Sequence, residues 1–214
     1  MRRLSVIDKL LSELDQSMRT VHAEAPSSGR DISLGNLSEV ADLTDAERKQ
    51  AASLMRINHA GEVSAQGLYR GQALTAKDPV VKAQMEESAA EENDHLNWCE
   101  ARIHALDSHK SYLNPVWYWG SFGIGALAGR AGDRWSLGFV KETEDQVTKH
   151  INSHLQTLPA ADKASHAVLL QMKEDEQHHA DVAQDAGAAQ LPWPIRKVFM
   201  PITSKVMTGL SSKI

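Results

Sequence analysis

Several residue types are scarce in this sequence, and each scarcity narrows the classes of protein to consider. One of the 214 residues is cysteine, which excludes a disulfide framework and suits a reducing compartment. Aromatic residues make up 5% of the chain, and runs of β-branched residues are rare. Pro and Gly concentrate between residues 114 and 138 and after residue 186. This composition predicts an all-α protein.

An excess of positive charge and a long apolar run are missing as well. The net charge is −5 at pH 7, and this acidic balance argues against a nucleic-acid partner. Charged residues such as Asp8 and Lys9 interrupt the apolar stretches near Met1, so we expect no signal peptide. The uncharged stretch 113–129 has seventeen residues with Pro, Gly and Ser among them, which is short for a membrane-spanning helix.

Apolar periodicity predicts an amphipathic helix over residues 3–22, followed by a polar linker that contains Pro and Gly. The apolar positions of this helix are Leu4, Ile7, Leu10, Leu11, Leu14 and Met18. We treat residues 1–42 as an N-terminal helix and linker without an assigned role. The remainder, 43–214, is predicted to be one helical domain.

Four helices of a bundle are predicted within this domain from apolar periodicity and from start and stop residues. Thr44 and Glu47 have the spacing of a capping box, and Asp78 precedes a Pro at the first position of the next helix. Gly187 is the expected C-terminal cap of the last helix. The predicted helices cover residues 44–75, 79–108, 134–158 and 160–187.

Two Glu-x-x-His motifs lie within these helical patterns, Glu92 with His95 and Glu176 with His179. Residues three apart share one face of a helix, so each pair directs a carboxylate and an imidazole toward the same point. Two such helices, with one further Glu from each of two others, form the ligand set of a carboxylate-bridged di-metal site in a four-helix bundle. A single motif of this kind arises by chance, so the register of each helix has to be tested.

The two further glutamates are Glu62 and Glu144, and the apolar stripe of each helix decides which acids face the core. The clearest stripe surrounds Glu144 and consists of Leu137, Val140, Val147, Ile151 and Leu155. Glu92 and Glu176 also fall on apolar stripes, whereas the stripe of Glu62 is less clear. Buried carboxylates are unfavourable unless they are paired or bind a metal, and few cations share these stripes. Solvated or salt-bridged acids remain the alternative for each residue taken alone.

The same register assigns neighbouring polar residues to the solvated side of their helices. Asp175 and His178 form a competing acid–histidine pair, which we expect to be solvated. Glu91 and Asp94 mark the solvated side of the preceding motif helix. The single cysteine, Cys99, is expected to pack in the core rather than to bind a metal.

The predicted metal ligands are Glu62, Glu92, His95, Glu144, Glu176 and His179. Four carboxylates and two imidazoles leave open positions on two metal ions, which suits iron or manganese better than zinc or calcium. Such a site can oxidise Fe(II), destroy peroxide or insert oxygen into a C–H bond, and the ligands alone do not choose among these. We assign no catalytic residue beyond the ligands. A dinucleotide-binding pattern at 123–128 is rejected because no strand precedes it.

Two apolar segments lie outside the four bundle helices. The stretch 113–129 carries two Trp and one Tyr at 117–119, and such residues favour the membrane–water interface. A buried crossover segment is the equally weighted alternative. The tail 191–214 is apolar and basic, with no acid after Asp185, which suggests contact with an anionic surface. A helix docked on the bundle is the alternative for the tail.

Three runs resemble signature segments of the demethoxyubiquinone hydroxylases, which are membrane-associated di-iron monooxygenases of ubiquinone biosynthesis. They are MRINHAGE at 55–62, AEENDH at 90–95 and EDEQHH at 174–179. Glu144 matches the ligand of that family's fourth helix, and the stretch 113–129 matches its interfacial region. The resemblance covers roughly residues 43–214.

This resemblance implies a ferritin-like four-helix bundle with an additional apolar segment and a C-terminal amphipathic tail. The cofactors would be two Fe ions per chain, with O2 as co-substrate and a polyprenyl benzoquinol as the molecule hydroxylated. Glu92 and Glu176 would bridge the irons, and Glu62 and Glu144 would mainly be terminal ligands.

The resemblance also implies a location and partners. The protein would bind peripherally to the cytoplasmic face of the cell membrane, and other ubiquinone-biosynthesis proteins and further copies of the chain are candidate partners. His59 and His150 are candidates for hydrogen bonds to the metal ligands, and a solvated or core-packed histidine is the favoured alternative for each taken alone. Another ferritin-like catalyst, such as a peroxidase or manganese catalase, and an iron-storage subunit are the alternative functions.

Overall fold

All regular structure in the computed structural model, which describes residues 5–30, 33–40 and 42–214, is helical. The absence of strands from these residues confirms the all-α prediction. The α-helices are α1 (Val6–His22), α2 (Asp45–Thr75), α3 (Pro79–Ala105), α4 (Asn114–Ala131), α5 (Asp133–Thr157), α6 (Lys163–Asp185) and α7 (Met200–Ser211), and one π-helical turn spans Ile195–Phe199.

Local capping chemistry sets where the bundle helices begin. The predicted caps of α2 and α3 are confirmed, with Thr44 and Asp78 at the N-cap positions. The start predicted at residue 160 is early, because α6 begins at Lys163. The Asp162 side chain accepts a hydrogen bond of 3.1 Å from the Ser165 N–H and so fixes the first turn.

Four helices, α2, α3, α5 and α6, form the bundle that the resemblance implied. The loops within the pairs α2–α3 and α5–α6 are short, so each pair is antiparallel. The two pairs meet where α3 packs on α6 and α2 on α5. α4 crosses between the pairs and joins α5 at Gly132, whose φ of 131° is open to glycine without strain.

α4 packs against α2 through glycines rather than through large side chains. A Cβ at Gly67 would lie 2.2 Å from the carbonyl oxygen of Tyr118, and a Cβ at Gly125 would lie 2.2 Å from that of Leu68. Both helices carry small residues four apart at this contact, which lets the two backbones touch.

The opposite face of α4 is exposed and apolar. Val116 retains 58% of its accessible surface, Trp119 38% and Leu127 71%. The two interpretations of the stretch 113–129 therefore apply to different faces of α4. One face is buried against α2, as expected of a crossover segment. The other face carries apolar residues that are open to solvent.

Gly125→Ala should destabilise the protein strongly, whereas Gly123→Ala on the same helix should not. The added methyl at residue 125 meets the Leu68 backbone, which cannot rotate away, so the loss should reach at least about 1–3 kcal/mol. A Cβ at Gly123 meets no atom within 4 Å, and alanine there should stabilise the helix by roughly 0.5–1 kcal/mol. Denaturant unfolding of both variants measures the difference, and equal stabilities would contradict the backbone contact.

The amphipathic helix predicted at the N-terminus is present as α1. It begins at Val6, because Ser5 is its N-cap and forms a capping box with Asp8. The predicted start at residue 3, together with Leu4, lies outside the described residues, as does the side chain of Leu10.

α1 packs on the bundle through a face that is mainly polar and also carries the buried Val21. Ser17 and Thr20 are buried, and Glu13 binds Arg70 of α2 at 2.7 Å. The exposed apolar residues of α1 are Ile7, Leu11, Leu14 and Met18.

Two apolar clusters fill the bundle interior, one toward each end. Each of the four bundle helices contributes to both clusters. Met55 of α2 and Cys99 of α3 belong to one cluster. Tyr69 of α2 and Met85 of α3 belong to the other. Cys99 thus packs in the core, as predicted. The predicted metal ligands fall between the two clusters.

The C-terminal tail docks on the bundle and keeps an apolar outer face. The Ser204 hydroxyl of α7 lies 3.1 Å from Nε2 of His150 on α5. Ile202, Val206 and Leu210 are exposed on the outer side of α7. Over the part of the chain that the structure describes, no helix combines the length and the apolar character needed to cross a membrane.

Candidate metal centre

Four carboxylates meet in the bundle interior between the two apolar clusters. Glu62, Glu92, Glu144 and Glu176 come from α2, α3, α5 and α6 respectively, and each is at most 2% exposed. All four acids predicted to face the core do so, including Glu62, whose stripe was the least clear. Acids are rarely buried to this degree without a compensating partner.

Both predicted histidines direct Nδ1 at the same pair of acids. Nδ1 of His95 lies 2.9 Å from Glu92 Oε2 and 3.2 Å from Glu176 Oε1. Nδ1 of His179 lies 3.3 Å from Glu92 Oε1 and 3.4 Å from Glu176 Oε2. Glu92 and Glu176 therefore each present one oxygen to each imidazole.

Glu62 lies on the His95 side of this arrangement. Its Oε2 is 3.5 Å from Nδ1 of His95. Ligand atoms of Glu62, Glu92, His95 and Glu176 all lie within 4.8 Å of one another. These four residues form a compact group of three carboxylates and one imidazole.

Glu144 is linked to the second histidine, His179, through the side chain of Tyr69. It accepts a hydrogen bond of 2.8 Å from the Tyr69 hydroxyl. The Tyr69 ring lies edge-on to His179, with 6.4 Å between the ring centres. Tyr69 was not among the predicted site residues.

The outer nitrogen of each imidazole is bound by an acid from the other motif helix. Nε2 of His95 lies 2.9 Å from Asp175 Oδ2, and Nε2 of His179 lies 2.8 Å from Glu91 Oε2. The expected solvation of Asp175 is wrong: it is 9% exposed, because it lies at the seam between two helices, while His178 is exposed as predicted. An acid on the outer nitrogen fixes the tautomer that leaves Nδ1 free for a metal.

Arg30, from the segment that follows α1, lies against both of these acids. Its Nη2 is 3.1 Å from Asp175 Oδ2, and its Nη1 is 3.7 Å from Glu91 Oε2. Its Nε is 3.3 Å from Asp94 Oδ2, and Asp94 also accepts from the Ser28 N–H at 2.9 Å. The expected solvation of Asp94 is therefore wrong as well, since this segment covers it.

His59 and His150 make their hydrogen bonds away from the predicted ligands. Nδ1 of the fully buried His59 lies 3.4 Å from Asn114 Nδ2, and burial lowers the pKa of His59 to about 3. His150 is paired with Ser204. In the described part of the chain, the acids behind the imidazoles are Asp175 and Glu91 instead.

Burial and mutual repulsion perturb the pKa values of the acids. The pKa values of Glu62 and Glu144 are raised well above the usual carboxyl value, first by burial and then by the charges of Glu92 and Glu176. Burial alone would lower the pKa of His95, but the Glu92 charge and the surrounding acids raise it well above its usual value. The metal-free site therefore holds protons tightly.

The metal-free protein should become more stable as the pH falls from about 9 toward about 6.5, the pKa of an unfolded histidine. The pKa values of Glu62 and Glu144 are raised above the 4.5 of an ordinary glutamate, and those of His95 and His179 above the 6.5 of an ordinary histidine. The folded state then binds more protons than the unfolded state, and that stability is lost as the pH rises through the folded pKa values. Thermal unfolding of chelator-treated protein at several pH values measures the trend.

The metal-loaded protein provides the comparison for this pH series. Its stability should fall on acidification, because protons compete with the metal for the same ligands. A melting temperature of the metal-free form that declines as the pH falls from about 9 to about 6.5 would count against a compact carboxylate cluster.

The donor atoms of the site fit a divalent metal. Among the described residues, Glu92 Oε1, Glu176 Oε2 and His179 Nδ1 are buried without a hydrogen-bond partner. Unsatisfied buried polar atoms are unfavourable, and atoms that face one another in this way are suited to a shared cation. Carboxylate oxygens with imidazole nitrogens and no thiolate suit iron or manganese.

An apolar cavity of about 340 Å³ reaches this cluster. It is bounded by α2, α4, α5 and α7, and Glu62 belongs to its wall. Its apolar lining includes Trp117, Ile124, Phe139 and Met207. A mainly apolar cavity of this size with a few polar groups is typical of a binding site for a small organic molecule.

Comparison with known proteins finds relatives that align over nearly the whole chain. A 3-demethoxyubiquinol 3-hydroxylase from Nitrosococcus oceani is 52% identical over 207 residues, covering 97% of this chain and 96% of that protein. A protein of the same name from Pseudomonas fluorescens is 51% identical, and the alignment covers 100% of this chain and 98% of that protein. Another from Chromobacterium violaceum is 49% identical, and the alignment covers 98% of this chain and 100% of that protein.

These alignments extend through most of residues 1–42, so the likeness is wider than the range 43–214 that the sequence motifs indicated. A family model described as ubiquinone biosynthesis protein COQ7 matches residues 49–211. The ferritin-like helical fold and the resemblance to the hydroxylases are both confirmed. The chain belongs to the family of ubiquinone biosynthesis protein COQ7.

Proposed function

We propose that the chain is a di-iron monooxygenase that uses O2 to hydroxylate the ring of a polyprenyl methoxy-methyl-benzoquinol, demethoxyubiquinol. The observation that carries this proposal is the buried acid–histidine cluster, which adjoins an apolar cavity at Glu62. The name of the relatives, 3-demethoxyubiquinol 3-hydroxylase, supports the same substrate. When bound, two ferrous ions would supply electrons for the reduction of O2.

The six predicted residues would hold two iron ions. They are Glu62, Glu92, His95, Glu144, Glu176 and His179. Glu92 and Glu176 would bridge the ions, because each offers one oxygen to either imidazole. The ion beside His95 would also be bound by Glu62, and the second ion would be bound by Glu144 and His179.

Residues around the ligands would orient them and hold the substrate. Asp175 and Glu91 accept the Nε2 protons of the imidazoles and keep both Nδ1 atoms available. The apolar cavity wall excludes water and packs the ring and the first part of the prenyl chain. Thr143 and Gln146 belong to the same wall and offer hydrogen bonds to the ring oxygens.

Quinone profiling of cells that lack the protein tests this function. A demethoxy intermediate should accumulate, and a copy of the wild-type chain should restore the mature quinone. An unchanged quinone pool would refute the proposal. Gel filtration with iron loading separates it from storage, because storage requires a many-subunit shell with hundreds of irons, whereas the hydroxylase needs about two irons per chain.

We further propose that the protein lies on the cytoplasmic face of the cell membrane, with the exposed faces of α4 and α7 against lipid. Trp119 and Leu127 on α4 and Ile202 on α7 provide apolar contact. Lys197 in the tail provides attraction to anionic headgroups. Two weak anchors together give stable but reversible attachment. Association with other ubiquinone-biosynthesis proteins, or with further copies of the chain, stays a prediction.

Trp119→Asp combined with Ile202→Asp should release the protein from vesicles that contain anionic lipid, because each substitution charges one apolar face. Reversing the charge of Arg196 and Lys197 to Glu should weaken binding at least about tenfold, since a basic residue near an anionic leaflet contributes roughly 1 kcal/mol. Sedimentation with vesicles at low and high salt measures both effects, and the metal content should not change.

Leu170→Asp is the matched control for these variants. Leu170 is 55% exposed on α6, outside both proposed faces, so the variant should bind vesicles like the wild type. Full vesicle binding by the Trp119 and Ile202 double variant would show that these faces do not contact lipid, while leaving the proposed hydroxylation untouched.

A further inference from the structure

One guanidinium contacts both acids that hold the outer nitrogens of the two histidines. Arg30 reaches Asp175 at 3.1 Å and Glu91 at 3.7 Å. Asp175 is in turn hydrogen-bonded to His95, and Glu91 to His179. A planar guanidinium carries five donors in a rigid fork, which suits it to fixing two carboxylates at once.

The guanidinium is itself held in place by neighbours on α3. Asp94 accepts from Arg30 Nε at 3.3 Å and from the Ser28 N–H at 2.9 Å, which holds the chain just before Arg30 against α3. The guanidinium also lies 5.9 Å from the centre of the Trp98 ring, within range of a cation–π interaction. These contacts restrict the rotamers open to Arg30, so that its fork keeps one orientation toward the two acids.

We propose that Arg30 is a positioning residue of the metal centre, which fixes both histidine ligands through the acids behind them. This inference rests on the proposed metal-binding function. Each acid is shared between one imidazole and Arg30, and Asp175 also accepts from the Gln171 side chain at 3.1 Å. Loss of Arg30 therefore removes one contact from each acid and loosens the hold of both acids on the imidazoles. The segment between α1 and α2, to which the sequence assigned no role, thereby becomes part of the site.

A simple effect of charge would have the opposite sign. Removing a cation from the surroundings of a divalent metal lowers the repulsion on that metal and should tighten its binding. Loss of positioning should weaken metal binding, by about 10- to 100-fold for a lost contact behind a metal ligand. The direction of the change in metal affinity on loss of Arg30 therefore distinguishes a positioning role from a simple effect of charge.

Anaerobic titration with Co(II), whose visible absorption reports ligand geometry, tests the proposal in the full chain. Arg30→Gln should bind Co(II) about tenfold or more weakly, with an altered absorption spectrum. Arg30→Lys should recover part of the affinity, because an ammonium keeps the charge without the fork. Thermal unfolding of each metal-free variant shows whether the fold is retained.

Arg70→Gln is the matched control. Arg70 also ties the N-terminal region to the bundle, through Glu13 at 2.7 Å, and the Arg70 and Arg30 side chains are 24% and 25% exposed. Arg70→Gln should bind Co(II) like the wild type. Equal weakening in both variants would overturn the proposal, since it would show only a general loosening of the N-terminal region. Unchanged or tighter binding in Arg30→Gln would overturn it too.

If Arg30→Gln lowers the stability of the protein, a double-mutant cycle with Asp175→Asn still tests the proposal. The cycle compares the effects of the single and double substitutions on Co(II) affinity. If Arg30 acts through Asp175, the two substitutions should be less than additive in their effect on Co(II) affinity. Additive effects would overturn the proposal. Failure of the wild-type protein to bind Co(II) would instead count against the proposed metal site itself.

Discussion

Glu92→Ala should yield a folded protein that loses most of its metal and its hydroxylase activity. Glu92 presents one oxygen to each imidazole, so its removal would take a ligand from both of the proposed metal positions. Metal chemistry contributes several kcal/mol to transition-state stabilisation, so turnover should fall by at least about 10³-fold. Glu176→Ala should behave in the same way. Elemental analysis after anaerobic reconstitution, with a quinol turnover assay, measures both losses.

Glu174 and His178 supply the controls for these ligand variants. Both residues lie on α6 beside Glu176 and are exposed, so replacing either by Ala should leave the metal content at the wild-type level. If His178→Ala lost its metal while Glu92→Ala kept it, the helical register on which the proposed ligand set depends would be wrong.

Gly61→Leu should block the cavity while leaving the metal in place. Gly61 precedes Glu62 on α2 and belongs to the cavity wall, and a Cβ there meets no atom within 4 Å. The leucine side chain would therefore enter the space assigned to substrate rather than collide with neighbouring backbone. Turnover of a long-chain quinol should fall about 10- to 100-fold, because overpacking typically costs about 1–3 kcal/mol. Metal content and melting temperature should stay near those of the wild type.

Gly123→Leu makes the same change in side chain on the exposed part of α4. A Cβ at Gly123 also meets no atom within 4 Å, and this residue is not part of the cavity wall. The variant should therefore keep its turnover. Full turnover by Gly61→Leu would mean that the quinol approaches the cluster by another route.

Helical periodicity was sufficient to predict the four buried acids, because burial of a helix face repeats along one helix and needs no knowledge of its neighbours. Glu144 shows this best, since its own helix supplies the apolar residues on either side of it. The same reasoning failed for Asp175, which lies next to the stripe. A residue there faces solvent on an isolated helix and faces a neighbouring helix in a bundle.

The contacts behind the histidines depend on how different helices meet, which periodicity does not encode. One local signal was nevertheless present: an acid directly precedes the glutamate of each motif, as Glu91 before Glu92 and Asp175 before Glu176. No local signal points to Arg30. It lies 64 residues from Asp94 and 145 residues from Asp175 along the chain, so only the folded structure brings it to them.

The glycine contacts between α2 and α4 bear on how a long substrate gains access to the cavity. Backbones that touch, as at Gly67 and Tyr118, cannot slide or separate without losing the whole contact, so α4 forms a rigid side of the cavity. α7 forms another side and is held by exchangeable polar bonds, such as that between Ser204 and His150. The side of the cavity that can move at lower cost is therefore the one formed by α7. The outer face of α7 is also the face proposed to meet lipid, so attachment of the protein to a bilayer would place the more movable side of the cavity at the membrane surface.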